Sequence, residues 1–399
     1  MTFKTLNDLA PEGKRILVRV DINVPLSPEG TPTDITRITR VIPTLKELLA
    51  RGGKVIVLAH LGRPEGKPMK KYSLKPLVPV LAEALEKPVG FIEDLEGPLA
   101  LDQVEKMEPG EILLGENVRF YPGEEINDPS FVSQLARLGD AYVNDAFSAS
   151  HRAHASIYGI ARQLPAFAGR LMEEEMTALR SGLTNPRHPL MAIVGGSKVS
   201  TKLVLLANLI SKVDQLVVGG GMANTFLLAQ GVPVGSSLCE PDMVPAAQAI
   251  FHKAEQAGVD LILPCDGRVR REDGSWRDWE NFQDILPGEA IMDMGPRSQA
   301  QVINRLTQCQ TVIWNGPVGL FEVAPFHEGT MALAKAIAQR TEEGGLVSVA
   351  GGGDTVAALH KAGCLESFTY VSTAGGAFLE WLEGRDLPGV SALSLPPLG

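Results

Sequence analysis

The chain has 399 residues, of which 44% are hydrophobic and 21% charged, enough apolar material for two or three packed cores and too much for a disordered chain. Its formal net charge of −10 argues against a nucleic-acid coat or a membrane-surface protein. Residues 1–170 are close to neutral and the remainder carries nearly all of the excess acid, so an anion site is more easily placed in the first part. Cys239, Cys265, Cys309 and Cys364 are widely spaced with no C-x-x-C pair, which reads as scattered thiols in a reducing compartment. The N-terminal MTFKTLNDLAPEGKR lacks a signal-peptide core, and no apolar run approaches the roughly 20 residues of a membrane span. The expectation is a soluble, cytoplasmic protein.

In chain order, short β-branched runs (RILVRVD, KVIVLAH, EILLGEN, AYVNDAF) alternate with helical stretches such as RVIPTLKELLARGG and LKPLVPVLAEAL. In the first of these helices Val41, Leu45, Leu48 and Leu49 recur at helical spacing, and Gly52 and Gly53 end it. LMEEEMTALRSGLTNPRHP follows, a charged amphipathic helix closing on Gly182, Pro186 and Pro189, and reads as an element joining two domains. The alternation then resumes with PLMAIVGG, QLVVGGG, LILPCD, TVIWNGP, GLVSVAGGG and FTYVSTAGG. Near-continuous apolar strands separated by helices predict parallel sheets covered on both faces. The expected architecture is α/β, two Rossmann-like domains joined by a hinge helix: 1–170, a connecting 171–189, and 190–384, with a tail at about 385–399.

Ligands of open parallel sheets bind beyond the C-terminal strand ends. In the first half those ends carry cations. The first strand runs into Asp21 and Asn23, the second into His60 and Arg63; Arg119 follows the third, and His151, Arg152 and His154 follow the fourth. Arg37 follows the turn region TPTDITR. Each alone is an ordinary surface or turn residue; their recurrence at four strand ends suits a small, multiply anionic ligand, since Arg offers a fixed fork of donors.

In the second half the strand ends carry glycine. GGSKVSTK supplies Gly195, Gly196, Lys198 and Lys202, and GGGMANTF supplies Gly219, Gly220 and Gly221. WNGPVGLFE carries Asn315, Gly316, Gly319 and Glu322; AGGGDT carries Gly351, Gly352, Gly353, Asp354 and Thr355; STAGGAF carries Gly375 and Gly376. Glycine lets backbone N–H groups approach a phosphate closely. Two lysines four apart are expected at the start of a helix, on one face. Asp354 suits Mg²⁺, which in nucleotide sites takes one or two carboxylates plus phosphates. No G-x-x-x-x-G-K-[ST] occurs, and no G-x-G-x-x-G follows the first strand, which weakens a dinucleotide-dependent dehydrogenase.

Together VRVDINVP, TRI, HLGRP, ENVRF, HRAHAS, GGSKVSTK, GGGMANTF, WNGPVGLFE, GGGDT and STAGGAF closely resemble the phosphoglycerate kinase family, in order and over nearly the whole chain. The resemblance implies reversible phosphoryl transfer between ATP and 3-phosphoglycerate, giving ADP and 1,3-bisphosphoglycerate, with Mg²⁺, in a monomer whose C-terminal tail packs on the first domain. It implies that Asp21, Asn23, Arg37, His60, Arg63, Arg119 and Arg152 hold 3-phosphoglycerate. It further implies that Gly195, Gly196, Lys202, Gly219, Gly295, Asn315, Glu322, Gly352, Gly353, Asp354 and Thr355 hold the nucleotide, with Glu322 on the ribose, Asp354 on the metal, and Gly375 and Gly376 as a phosphate loop. Arg37, Lys198 and Lys202 would act on the phosphoryl group in transit. The stretch 265–282 departs from the family pattern. The second reading from a different class is a catalytically inactive nucleotide sensor of the same fold.

Overall fold

The structure is a computed structural model that describes residues 3–27, 30–281 and 284–394. By contact density the chain divides into two compact units, residues 3–176 with 386–394, and Thr177–Arg385. The passage between them falls within the helix Arg170–Leu179.

Unit one is built on six parallel strands: β1 (Arg15–Val20), β2 (Lys54–Leu58), β3 (Gly90–Ile92), β4 (Ile112–Gly115), β5 (Ala141–Asp145) and β6 (Ala166–Ala168). Their spatial order is β3-β4-β2-β1-β5-β6, so the direction of winding reverses between β1 and β5. The helix Thr36–Ala50 turns Ile38, Val41, Leu45 and Leu48 into one cluster with Val18, Val20, Val57 and Val143 of the sheet. Each such side chain contributes about 1.5–3 kcal/mol on full burial. Residues 386–394 belong to this unit, where Gly389 N donates to Ser150 O and Asn144 Nδ2 donates to Gly389 O. Residues 395–399 of the expected tail lie outside the described residues.

Unit two contains β7 (Leu190–Val194), β8 (Gln215–Val218), β9 (Asp260–Ile262), β10 (Gly267–Arg270), β11 (Trp276–Trp279), β12 (Ala290–Met294), β13 (Thr311–Asn315), β14 (Val347–Gly351) and β15 (Tyr370–Ser372). Six form a parallel sheet in the order β15-β14-β13-β7-β8-β9, with winding reversed between β7 and β13. Its core joins Met191, Ile193, Val312 and Trp314 to Leu333 and Ile337 of the helix Glu328–Glu342.

The atypical stretch 265–282 has a structural explanation. It supplies β10 and β11 of a separate antiparallel sheet, order β11-β10-β12, that buries Trp279 against Val269, Ile285, Val234 and Leu227. Glu289 braces that sheet by accepting from Arg277 Nη2 at 2.6 Å and Arg271 Nε at 3.1 Å. Phe282 lies outside the described residues.

Candidate active site

The four strands whose ends carry the first-half cations, β4, β2, β1 and β5, are contiguous in the sheet. Their ends therefore share one rim, and the rim includes the β1–β5 reversal where open α/β sheets bind ligands. Asp21, just past β1, accepts from Arg37 Nη1 at 2.6 Å, from Asn23 N at 3.0 Å and from Ser148 Oγ. Arg37 itself lies in the first turn of the helix Thr36–Ala50. Asn23 Oδ1 accepts from Gly62 N at 3.0 Å, and Arg119 Nη1 donates to Gly62 O at 2.8 Å, so three strand ends are tied through one glycine. Arg63 and Arg152 are exposed on the same rim, with Arg152 Nε 3.2 Å from His151 Nε2.

Electrostatically this rim is positive. Burial pushes the Asp21 carboxyl up, but the neighbouring His60, then Arg37 and the hydrogen bonds from Ser148 and Asn23, outweigh it and hold the group below the usual carboxylate range. Burial, then Arg19 and Arg119, hold the His60 imidazole well below its ordinary value, and burial with the nearby arginines brings His154 down to about 3. Both histidines are therefore neutral at pH 7, and the positive charge is carried by arginine.

Beneath the rim lies a network that the sequence reading did not single out. Arg19, 1% exposed, donates through Nε to Ser156 Oγ at 2.9 Å, through Nη1 to Val20 O, and through Nη2 to His60 Nδ1 at 3.0 Å. Ser156 Oγ in turn donates to Glu124 Oε1 at 2.6 Å, and Ser156 N donates to Oε2 at 2.9 Å. Asn117 Nδ2 holds the carbonyls of Leu61 at 2.7 Å and Tyr72 at 2.9 Å. The signal for Arg19 is its place in RILVRVD: on a sheet covered on both faces a charged side chain inside a strand needs a buried partner.

In unit two the glycine turns after β7, β13 and β14 meet. Gly195 N donates to Asn315 O at 3.0 Å, Asn315 Nδ2 to Gly351 O at 2.9 Å, and Gly316 N to Thr355 Oγ1 at 2.7 Å. Gly316 has φ +97°, and a Cβ there would stand 2.2 Å from Gly195 O, so only glycine fits. Gly220 N donates to Val318 O at 2.9 Å and Met222 N to Gly196 O at 3.0 Å, which brings the turn after β8 alongside. Gly219 is the N-cap of the helix Gly220–Ala229; Gly352, at φ +101°, is that of Gly353–Ala362, with Asp354 exposed in the first turn.

One expectation is corrected here. Lys198 and Lys202 do not share a helix face, because the helix begins at Leu203 with Lys202 as its N-cap. Lys202 Nζ instead donates to Gly195 O at 2.6 Å, Asn315 Oδ1 at 2.6 Å and Asn315 O at 3.1 Å, directly at the β7–β13 reversal. Burial lowers its ammonium to about 8, partly countered by Asp354. Lys198 stands exposed in the preceding turn.

Four assigned positions lie apart from this cluster. Gly295 caps the helix Pro296–Leu306, but Asp266 already accepts from Arg297 N at 2.8 Å and Ser298 N at 2.7 Å there, and a Cβ on Gly295 would come within 2.5 Å of that carboxylate. The close packing of Asp266 thus gives Gly295 a structural reason of its own. Glu322 is exposed, its carbonyl accepting from Lys361 Nζ at 3.2 Å near the far end of the helix that Asp354 begins. Gly375 and Gly376 follow β15, the edge strand two places from β13.

The structure is a two-unit α/β protein with an arginine-rich rim on one parallel sheet and a glycine-and-lysine rim on the other. The model of the family described as phosphoglycerate kinase matches residues 6–385. Among similar proteins, the phosphoglycerate kinases of Sinorhizobium fredii and of a Ruegeria species are each 55% identical to this chain, covering 98% of it and 99% and 100% of their own lengths. The solved phosphoglycerate kinase of Coxiella burnetii superposes with a TM-score of 0.92 at 44% identity, covering 98% of this chain and 99% of its own. That of Pyrococcus horikoshii gives 0.81 at 31%, with 98% of each chain covered. The chain belongs to the phosphoglycerate kinase family. It is a phosphotransferase, the family implies ATP and 3-phosphoglycerate as its substrates, and an inactive sensor is not favoured. No helix among the described residues is long and apolar enough to cross a membrane.

Proposed function

We propose that the rim of unit one holds 3-phosphoglycerate, the rim of unit two holds the nucleotide, and the phosphoryl group passes directly between them. The observation that carries this reading is the convergence, at the reversal point of each parallel sheet, of opposite chemistries: arginine forks on one, close-packed glycine turns with Lys202 and Asp354 on the other. Asp21, Asn23, Arg37, His60, Arg63, Arg119 and Arg152 bind the acid. Gly195, Gly196, Gly219, Asn315, Gly352, Gly353 and Thr355 shape the phosphate end of the nucleotide site, with Gly375, Gly376 and Gly295 at its margins. Lys361 lies seven residues beyond Asp354 on one helix, about 10 Å along the axis. That spacing, with Lys361 on the Glu322 carbonyl, supports Glu322 as a ribose contact well removed from the phosphates.

The donor set fits magnesium carried by the nucleotide. Asp354 offers one exposed carboxylate beside the glycine turns, and no group of three or more His, Cys, Asp or Glu able to hold a metal occurs among the described residues. Asp354 would hold such an ion beside the nucleotide phosphates, where it would neutralise their charge.

The nucleophile is a carboxylate, already ionised at pH 7, so no general base is required. A carboxylate oxygen forms the new bond to the γ-phosphorus as the bond to the ADP oxygen breaks, and no proton changes place. Catalysis then rests on positioning and on charge stabilisation, assigned to Arg37, Lys198 and Lys202. Because the two substrates bind different units, transfer requires a hinge-like closure, which also excludes water from the acyl phosphate. The reading takes the chain as a cytoplasmic monomer without a nucleic-acid or membrane partner, in keeping with its net charge of −10.

Calorimetric titration tests the assignment of substrates. Arg119→Ala should weaken 3-phosphoglycerate binding by tenfold or more while leaving ADP affinity within about twofold. Equal weakening of both ligands, or of neither, would overturn the division of labour.

A further inference from the structure

The contact between Arg19 and His60 fixes a tautomer that the neutrality of the ring leaves open. A guanidinium has five N–H donors and no acceptor, and it stays charged in proteins. Arg19 Nη2 lies 3.0 Å from His60 Nδ1 with both side chains buried, so Nδ1 must be the acceptor. A neutral imidazole whose Nδ1 accepts carries its proton on Nε2. An imidazolium would set two donors against each other. The groups facing His60 agree: Arg19 and Asp21 from the β1 end, Arg119 from beyond β4 and His154 from beyond β5, of which only Asp21 favours a charged ring. Asp21 is itself engaged by Arg37, Ser148 and Asn23.

Arg19 is held in turn. Its Nε reaches Ser156 Oγ, which donates onward to Glu124, fully buried and 3.8 Å from His154 Nδ1. The network is thus a chain whose arginine links can run only one way: Arg19 donates to Ser156 and to His60, and Ser156 donates to Glu124.

We infer that Arg19 is a positioning residue that locks His60 as its Nε2–H tautomer, so that His60 meets 3-phosphoglycerate as a neutral hydrogen-bond donor, with Ser156 and Glu124 holding Arg19 in place. The inference rests on the assignment of His60 to the acid site. A neutral donor keeps its hydrogen bond to the anion across the working pH range, whereas an ordinary histidine would change charge near pH 6.5.

Two-bond ¹⁵N–¹H correlation spectra of the histidine-labelled full chain read the tautomer without substrate. The expected result is a pyridine-type Nδ1 and a pyrrole-type Nε2 for His60, unchanged from pH 5.5 to 8.5. A ring protonated on Nδ1, or one titrating near 6.5, overturns the proposal. In Arg19→Met the ring should become a tautomer mixture that titrates, and KM for 3-phosphoglycerate should rise about tenfold to a hundredfold and become pH-dependent, with the larger effect on KM than on kcat. Arg19→Lys, which keeps a charged donor, should restore the Nε2–H form in part. Ser156→Ala, a milder change, should loosen the same lock if Arg19→Met does not fold. A pH-independent KM in a folded Arg19→Met or Ser156→Ala protein overturns the positioning role. Adding 3-phosphoglycerate should shift the His60 Nε2 resonance; an intact tautomer with no shift would overturn instead the placement of His60 in the acid site.

Discussion

Lys202 is where structure and chemistry bear most directly on each other. Its ammonium has three protons and donates to three oxygens, those of Gly195 and of Asn315 twice, at the reversal between β7 and β13. Burial lowers its pKa from 10.5 to about 8. A site with that value is about nine-tenths charged at pH 7 and about one-tenth charged at pH 9. If the ammonium is needed for nucleotide capture, kcat/KM for ATP should fall nearly tenfold between those pH values, since that ratio reports the free enzyme. Bound phosphates favour the charged form, so the limb on kcat should lie at higher pH. Lys202→Met should cost roughly 10²–10³ in turnover at pH 7. Stability should move less, because two effects oppose each other. The substitution strands two acceptors, Gly195 O and Asn315 Oδ1, at about 1–3 kcal/mol for each buried unsatisfied group, while Asn315 O still accepts from Gly195 N. It also removes an ammonium whose depressed value corresponds to about 3 kcal/mol at 1.36 kcal/mol per pH unit. Stopped-flow or coupled-assay profiles from pH 6 to 9.5, with thermal melts of both proteins, decide the matter. A flat alkaline limb together with near-normal turnover in Lys202→Met would refute the reasoning.

Further outcomes follow from individual contacts. Arg37→Ala leaves Asp21 buried without its cation, so KM for 3-phosphoglycerate should rise and kcat fall, together by roughly 10²–10³ in kcat/KM measured by steady-state kinetics. Asp293, 2% exposed, is pushed up to about 7 by burial, against hydrogen bonds from Gly329 N and Met294 N. A raised carboxyl value means its stabilising, protonated form is complete below about pH 4 and is lost as pH rises through about 7, a contribution on the order of 4 kcal/mol. Asp293→Asn should therefore unfold at higher denaturant than the parent at pH 8 but not at pH 4.5. All four tryptophans lie in unit two, so their fluorescence reads that unit's unfolding directly. Gly316→Ala places a Cβ 2.2 Å from the Gly195 carbonyl at φ +97°, and calorimetry should show ADP affinity falling more than tenfold with 3-phosphoglycerate affinity retained.

The fold was legible where strands are buried on both faces. RILVRVD, KVIVLAH and TVIWNGP read as central strands because a parallel sheet under two helical layers leaves no polar face to interrupt the pattern. β3 and β6, three residues each at a sheet edge, were not legible, whereas β9 and β15, as short and also at edges, lie in the readable apolar runs LILPCD and FTYVSTAGG. The antiparallel sheet escaped for another reason: Arg268, Arg270, Arg277 and Asp278 give β10 and β11 a charged surface, and Glu289, which braces the sheet, comes from a loop outside both strands.

In the site, the residue types after each strand were readable because the open-sheet rule says where to look, but what each side chain touches was not. Lys198 and Lys202 look like one helix face at a spacing of four, yet the chain delays its helix to Leu203 and Lys202 caps it, its ammonium on the oxygens of Gly195 and Asn315. Gly295 is assigned to the nucleotide through the family resemblance alone, and its packing against Asp266, a partner about 30 residues away, is announced by no local pattern. Arg19 and Ser156 are distant in sequence and meet because β1 and β5 are neighbours, and Glu124 joins them from the chain beyond β4.

The central claim, direct transfer from nucleotide to the carboxylate of the acid, is tested most directly by ADP release from Mg·ATP with hydroxylamine present to trap the acyl phosphate. The account predicts release that requires both 3-phosphoglycerate and Mg²⁺, in step with trapped product. Release from ATP without 3-phosphoglycerate, or no release from folded protein that binds both ligands, would contradict it.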